Sequence, residues 1–304
     1  MKATTAHRRP GLGIALILCM ACCFAAMDTG IKYLGGFLPV LLILWLRYLT
    51  QATVMAVWLL RPGSAGFRTV HPRFQVLRGA LLLATSAMSF YGVQFMPVPE
   101  FTAINMLTPV IVTLLAATVL REPVSRLRWA LVCGGFAGAL IVIRPGSGLF
   151  GWAVAFPLAG ALTYASFQVL TSRLAGRENP FTTHFYTGLT GTLVLTPVLA
   201  LGPVDALATL GAATPAQWAL LLAIGLLGTT GHLLLILALG LAPTATLMPF
   251  VYVQIGTAAA VGAWVFGTLP DGWAWAGMGV IAACGAANAW MNVRRPARAD
   301  TMAD

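Results

Sequence analysis

Apolar residues in this chain come in long runs broken by short polar hinges, and the clearest case lies in residues 97–146. The run at 101–120 holds twenty residues without a charge, the length a helix needs to cross a bilayer. It is apolar on every face, which a surface helix of a soluble protein is not. A basic hinge, Arg121-Glu122-Pro123-Val124-Ser125-Arg126-Leu127-Arg128, joins it to a second run at 129–143. The pair predicts a helical hairpin in a membrane.

Applied along the chain, the same pattern predicts ten spans: 11–28, 38–60, 76–96, 101–120, 129–144, 150–172, 180–201, 216–240, 244–266 and 273–293. The 65 residues between Asp205 and Asp271 carry no Asp, Glu, Lys or Arg, too long for one span. Leu241-Ala242-Pro243 divides them, since proline ends a helix readily. Ten spans split into two halves of five, 1–146 and 147–304 with a short cytoplasmic tail, and an odd number per half inserts the halves in opposite senses. Gly267-Thr268-Leu269-Pro270-Asp271, with Trp275 and Gly277 after it, echoes Glu122-Pro123 with Trp129 and Gly135. Both closing helices carry small residues, Gly134, Gly135 and Gly138 in one and Gly277, Gly279 and Gly285 in the other, which let helices approach closely. The expected fold is an all-α integral membrane protein of two inverted five-helix repeats, a recurring plan of secondary transporters.

Charge sets the expected orientation. With the N-terminus inside, fifteen of the eighteen Lys and Arg fall on inner segments; Lys32 and Arg144 are outside and Arg47 lies within the second span. Both termini are therefore expected in the cytoplasm, with the protein in the cytoplasmic (inner) membrane. The net charge of +10 forms no basic face, so nucleic acid is not an expected partner. At 59% hydrophobic and 9% charged, the composition is that of a polytopic membrane protein. Lys2, Arg8 and Arg9 before the first run resemble a signal peptide, but no cleavage site leads to a polar region, so the run reads as a retained helix.

Enzyme chemistry finds little support. All five cysteines lie inside apolar runs, and the Cys19–Cys22 spacing has no second pair or nearby histidine. His7, His71, His184 and His232 are not spaced as metal ligands, Ser86 and Ser89 lack a paired His and acid, and no Walker lysine accompanies the glycines. No metal and no cofactor are expected.

Several stretches resemble a known family. They are Met27-Asp28 with Lys32; Arg47; Met96-Pro97, Glu100, Ala103-Ile104 and Thr108-Pro109; Leu120 with Glu122-Pro123-Val124; Arg128-Trp129; Gly135-Phe136-Ala137-Gly138 and Ile143-Arg144-Pro145-Gly146. In the second half they are Gly231-His232, Pro249-Phe250-Val251-Tyr252-Val253-Gln254 and Phe266-Gly267-Thr268-Leu269-Pro270-Asp271. By their order and spacing the chain resembles the drug/metabolite transporter superfamily, EamA type, departing from it at Thr268, where a Glu is frequent. The resemblance implies a ten-helix bundle with an inverted repeat, alternating access, and carriage of a small metabolite, often an amino acid or related compound moving outward. A passive facilitator or exchanger is the alternative, and a membrane-embedded enzyme the reading from another class. Small-molecule substrate and lipid bilayer are the expected partners, as monomer or homodimer.

Ionisable residues at membrane depth face a cavity or a partner. Arg47 is read as an anchor for a carboxylate or as a structural ion-pair member, with Asp28 one partner. Asp28 and Lys32, four apart, share a helix face and can pair at the outer rim. Glu100 suits a helix N-terminus or an outer gate, and His232 is a packing residue or a titrating one. Asp28, Glu100 and His232 are the coupling or gating candidates. Trp45, Tyr91, Asn105, Tyr164, Gln168, Tyr252 and Gln254 fall in mid-span and join Arg47 and His232 as candidate substrate contacts. Trp152, Trp218, Trp273, Trp275 and Trp290 read as interfacial belt residues.

Overall fold

The computed structural model describes residues 9–108, 110–111, 126–144, 147, 149–174, 177–242, 247 and 250–293. The hinge residues Arg121 to Ser125, and Pro109, Pro243, Pro249, Pro145 and Gly146, lie outside them. The described residues are helical, without a strand. The helices are α1 (Pro10–Leu34), α2 (Val40–Leu59), α3 (Pro72–Phe95), α4 (Val98–Asn105), α5 (Arg126–Ile143), α6 (Ala155–Leu174), α7 (Pro180–Ala200), α8 (Ala206–Ala212), α9 (Pro215–Leu241), α10 (Val253–Phe266) and α11 (Gly272–Val293). A 3-10 turn at Gly151–Val154 leads into α6.

Helix ends follow local chemistry. Asn179 caps α7 by accepting from Phe181 N at 2.9 Å, with Pro180 at the first helical position. Thr214 and Gln217 form a reciprocal capping box at the start of α9. Asp271 caps α11 through Ala274 N at 2.8 Å, and Gly267, at φ 68°, closes α10 in the left-handed region.

Five stretches, Gly11–Leu34, Val40–Leu59, Pro72–Phe95, Gly151–Thr171 and Pro215–Ala238, are long and apolar enough to cross a membrane. Trp129–Ile143 and Val253–Phe266 are shorter apolar helices. In α7 the threonines lower the hydropathy without leaving polar groups bare. Thr187, Thr190, Thr192 and Thr196 each donate to the carbonyl four residues earlier, at 2.7–3.0 Å.

Two elements differ from the hydropathy reading. The first helix runs on to Leu34, so Asp28 and Lys32 lie within it, and Asp28 is buried. Lys32 does not pair with Asp28. Its Nζ donates to Val93 O at 2.7 Å and Met96 O at 2.9 Å, where the end of α3 leaves carbonyls without helical partners. The expected helix at 101–120 begins earlier, at Val98, and its first segment closes at Asn105; Thr108, Val110 and Ile111 are helical again, and 112–120 lie outside the described residues. Pro109 has no N–H to return to the Asn105 carbonyl four residues before it, and Thr108 Oγ1 donates to that oxygen instead, at 2.8 Å.

Helix α1 lies along α9, and α3 along α6; α2 packs on α9, and α3 on α7; α1 meets α10, and α4 meets α6. Three further pairs, α2 with α7, α4 with α10 and α5 with α11, complete the frame. On the face carrying the α2–α3 and α6–α7 connections, Glu178 fastens the two together. Its Oε1 accepts from Thr69 Oγ1 at 2.8 Å, Val70 N at 2.9 Å and His71 N at 2.8 Å, with His71 Nδ1 at 3.3 Å. Burial alone would push this carboxyl up, but the hydrogen bonds outweigh it and hold it below the usual carboxylate value. On the opposite face Arg144 Nη1 meets Asp271 Oδ2 at 2.7 Å, joining the end of α5 to the start of α11.

Candidate functional site

The polar residues of α1, α3, α4, α6, α9 and α10 converge on one narrow cavity of about 70 Å³. Its walls are mostly apolar: Met20, Phe24 and Met27 from α1, Leu82 and Phe90 from α3, Leu235 from α9, with Met106 and Val251 beside α4 and α10. Into these walls are set Asp28, Ser86, Ser89, Asn105, Tyr164, Gln168, His232 and Gln254. A few convergent polar groups in an apolar hollow is the usual form of a small-molecule site. The volume is well below the roughly 300–1,000 Å³ of a ligand pocket, so a metabolite enters fully only if the walls part.

Two of these groups lack good partners among the described residues. Asn105 Oδ1 is buried without a hydrogen bond among the described residues. Asp28 is buried, and its carboxylate meets only the Ser89 hydroxyl, at 3.5 Å, among the described residues. Buried polar atoms left unpaired cost about 1–3 kcal/mol each, so both stand ready to accept from an incoming donor.

The structure places the sequence candidates in three groups. Asp28, Asn105, Tyr164, Gln168, His232 and Gln254 come together on the cavity. Arg47 lies one layer behind, fully buried, with its Nη2 3.1 Å from His232 Nδ1 and its guanidinium carbon 4.4 Å from the centre of the Tyr48 ring. It forms no ion pair with Asp28. Trp45, Tyr91, Tyr252 and Glu100 are elsewhere. Trp45 Nε1 donates to Thr196 Oγ1 at 3.0 Å beside the end of α7, and Tyr91 is on the outer side of α3. Tyr252 is buried between α10 and α11 with its hydroxyl against Gly285, and Glu100 is buried in the first turn of α4.

Sequence reasoning missed a buried polar seam that runs from behind the cavity to the Glu178 fastening. Gln51 Nε2 approaches His184 Nδ1 at 3.2 Å and donates to His184 O at 2.9 Å, and His184 Nε2 meets Thr229 O at 3.1 Å. The His184 and His232 rings stack with centroids 6.4 Å apart. Next along the seam, Arg78 donates to Thr171 Oγ1 at 2.8 Å, Thr187 Oγ1 at 2.6 Å and Thr183 O at 3.2 Å, and Gln75 donates to Thr183 Oγ1 at 3.1 Å. The available signal was the one-turn spacing of Thr183 with Thr187 within an apolar run, and of Gln75 with Arg78 at the edge of another.

A multi-pass helical membrane protein with a narrow central cavity of this composition falls in the class of small-molecule carriers. The chain belongs to the EamA-like transporter family, whose model matches residues 11–144 and again 151–287. It is similar to a riboflavin transporter of Rhizobium johnstonii, 31% identical over 74% of this chain and 72% of that protein. An S-adenosylmethionine uptake transporter of Rickettsia bellii is 24% identical over 86% of this chain and 87% of its own. The pseudopaline exporter CntI of Pseudomonas aeruginosa is 25% identical over 73% and 76%. A solved crystal structure superposes with a TM-score of 0.64 over 93% of this chain and 96% of its own, at 18% identity, a likeness of fold alone.

Proposed function

We propose that this protein is a secondary transporter of the cytoplasmic membrane that moves a small metabolite by alternating access. The observation that carries the reading is the narrow central cavity with its two underserved acceptors, Asp28 and Asn105 Oδ1. Ten spans in two inverted repeats, 1–146 and 147–304, make up the proposed frame. Exchange α1 with α6, α2 with α7, α3 with α9, α4 with α10 and α5 with α11, and the contacts of the frame map onto one another or themselves. The double family match over 11–144 and 151–287 fits that division. Both termini are proposed to be cytoplasmic, because the face holding Arg61, Arg68, Arg73, Arg126 and Arg177 is the basic one and the other holds Lys32 and Arg144.

The substrate we propose is a planar nitrogen heterocycle bearing amide-like donors and acceptors. Phenylalanine and methionine walls suit its faces, and Asn105, Gln168, Gln254 and Asp28 suit its edge. The riboflavin and S-adenosylmethionine carriers among the relatives support that class. An amino acid, and the outward direction, come from the family resemblance; the relatives include both an uptake carrier and an exporter. Asp28 is the proposed coupling group, being on the cavity, with Glu100 as a gate.

Flux into proteoliposomes tests this, with labelled riboflavin, S-adenosylmethionine and amino acids, with and without a pH gradient. Saturable uptake of a heterocycle supports the reading, and accumulation that follows the gradient supports coupling at Asp28. Flux that only equilibrates makes the protein a facilitator or exchanger. Transport of amino acids in preference to both heterocycles would overturn the substrate class.

A further inference from the structure

The cavity's recognition pattern depends on a residue that does not line it. His232 Nδ1 lies 3.1 Å from Arg47 Nη2 and 2.9 Å from Gly228 O. One nitrogen cannot serve both. With a proton it donates to the carbonyl and points an N–H at a guanidinium that can only donate. Without one it accepts from Arg47.

The surroundings decide between them. Gly228 lies inside α9, so its carbonyl already receives the helical N–H of His232, four residues on. Arg47 has no such reserve: beyond the face of the Tyr48 ring, its Nε and Nη1 are buried with no hydrogen-bond partner among the described residues, and losing the Nη2 contact would strip a third nitrogen. Unmet hydrogen bonds cost more on a charged group than on a carbonyl that keeps another bond. Arg47 is also held in place. A Cβ on Gly228 would lie 2.9 Å from Arg47 Nε and 3.0 Å from Met27 Sδ, so the glycine is what lets the guanidinium pass beneath α9.

We propose that Arg47 is a positioning residue that fixes the tautomer of His232, so that Nε2 carries the proton and offers an N–H donor to the cavity. The proposal deepens the transporter reading and rests on it for its flux arm alone. It assigns the substrate atom facing His232 as a hydrogen-bond acceptor, such as a carbonyl oxygen or a ring nitrogen, to complement the acceptors Asn105 Oδ1 and Asp28 on the same cavity. Arg47 then anchors no substrate carboxylate. Without Arg47 the ring turns its polarity around: Nδ1–H donates to Gly228 O, and the cavity meets a bare nitrogen.

The test is long-range nitrogen NMR on protein labelled at histidine, purified in detergent. The chain has four histidines, and the His232→Gln spectrum identifies the signal. Wild-type protein is expected to show the proton on Nε2. Arg47→Met should move it to Nδ1, and Arg47→Gln, whose amide can still donate to Nδ1, should keep it on Nε2. In riboflavin flux, Arg47→Met should raise KM about tenfold, the loss of one hydrogen bond, with kcat nearly unchanged, and Arg47→Gln should recover most of it. A proton on Nδ1 in the wild type overturns the inference, and that measurement needs no Arg47 variant. So does an equal loss in both variants with the tautomer unmoved, the signature of charge anchoring. If riboflavin is not carried at all, the substrate reading fails while the spectra still decide the tautomer.

Discussion

Gly138 on α5 and Gly277 on α11 occupy each other's missing side-chain space. A Cβ on Gly138 would meet Gly277 O at 3.0 Å, and one on Gly277 would meet Gly138 O at 2.7 Å. The two backbones cross in contact, which only paired small residues permit. Either glycine changed to alanine must push one helix off the other. Overpacking of this kind costs about 1–3 kcal/mol. Gly279, on the same helix with nothing near its Cβ position, is the matched control. Thermal unfolding in detergent should show Gly138→Ala and Gly277→Ala lowered in Tm and Gly279→Ala unchanged or raised.

That each of these helices can be approached closely was legible in advance, because glycine spacing within an apolar run is a local signal; that the two approach each other was not. Most helix ends were legible too: Pro180 and Pro215 open α7 and α9 within a residue of the hydropathy boundaries. The break after Asn105 was only half legible. Proline at 109 announces a freed carbonyl, but not that the Thr108 hydroxyl takes it and that Asn105 Oδ1 is left open on a cavity. Arg78, counted among the inner-segment charges, was not legible as a buried one. It follows Arg73 at the edge of a run and reads as a loop charge, and nothing local shows the threonines of α6 and α7 that receive it. Ser86 and Ser89 failed as nucleophiles and so went unread as cavity lining. Polar groups whose partners are distant in sequence carry no periodic signature, and these are the ones that build the site.

Glu178 should act as an acid-labile fastening. Its carboxyl is held below the usual 4.5, so the stabilisation is complete above that value and is lost as pH falls through the depressed folded pKa. Hydrogen exchange at the Val70 and His71 amides, both of which donate to it, reads the opening directly. Glu178→Ala should speed exchange of both by about tenfold or more at neutral pH, as hydrogen bonds to a charged group are worth about 1.5–3 kcal/mol. In the wild type the same rise should appear only below about pH 4.5. Equal acceleration of amides in α9 would show global unfolding instead.

Arg78 and its threonines should respond asymmetrically. Thr171 and Thr187 each keep a bond of their own, to Phe167 O and Thr183 O, when the arginine goes. Arg78→Met therefore orphans neither hydroxyl and removes a costly buried charge, so stability should change by no more than about 1 kcal/mol. Replacing both Thr171 and Thr187 by valine leaves the guanidinium buried with one hydrogen-bond acceptor, Thr183 O, and the face of Phe167. That double variant should lose about 3 kcal/mol or more. Tm values that fall equally in the two proteins would show that the charge itself stabilises the bundle.

The division of the sequence candidates into cavity and non-cavity groups makes the sharpest functional prediction. Asn105 contributes an acceptor with no partner of its own, so Asn105→Leu, close in size and unable to accept, should raise the KM for a heterocyclic substrate about tenfold, one hydrogen bond's worth. Gln254→Leu should act in the same direction. Trp45 and Tyr91 are equally polar-aromatic and equally mid-span, yet one hydrogen-bonds Thr196 away from the cavity and the other is on the outside of α3. Trp45→Phe and Tyr91→Phe should leave KM within about twofold, because neither removes a group that substrate can reach. The comparison is read from KM and kcat in proteoliposomes at matched protein content, which separates lost recognition from lost protein. If Tyr91→Phe raised KM as much as Asn105→Leu, the substrate would be meeting the outer side of α3, and the cavity between α1, α3, α4, α6, α9 and α10 would not be the transport site.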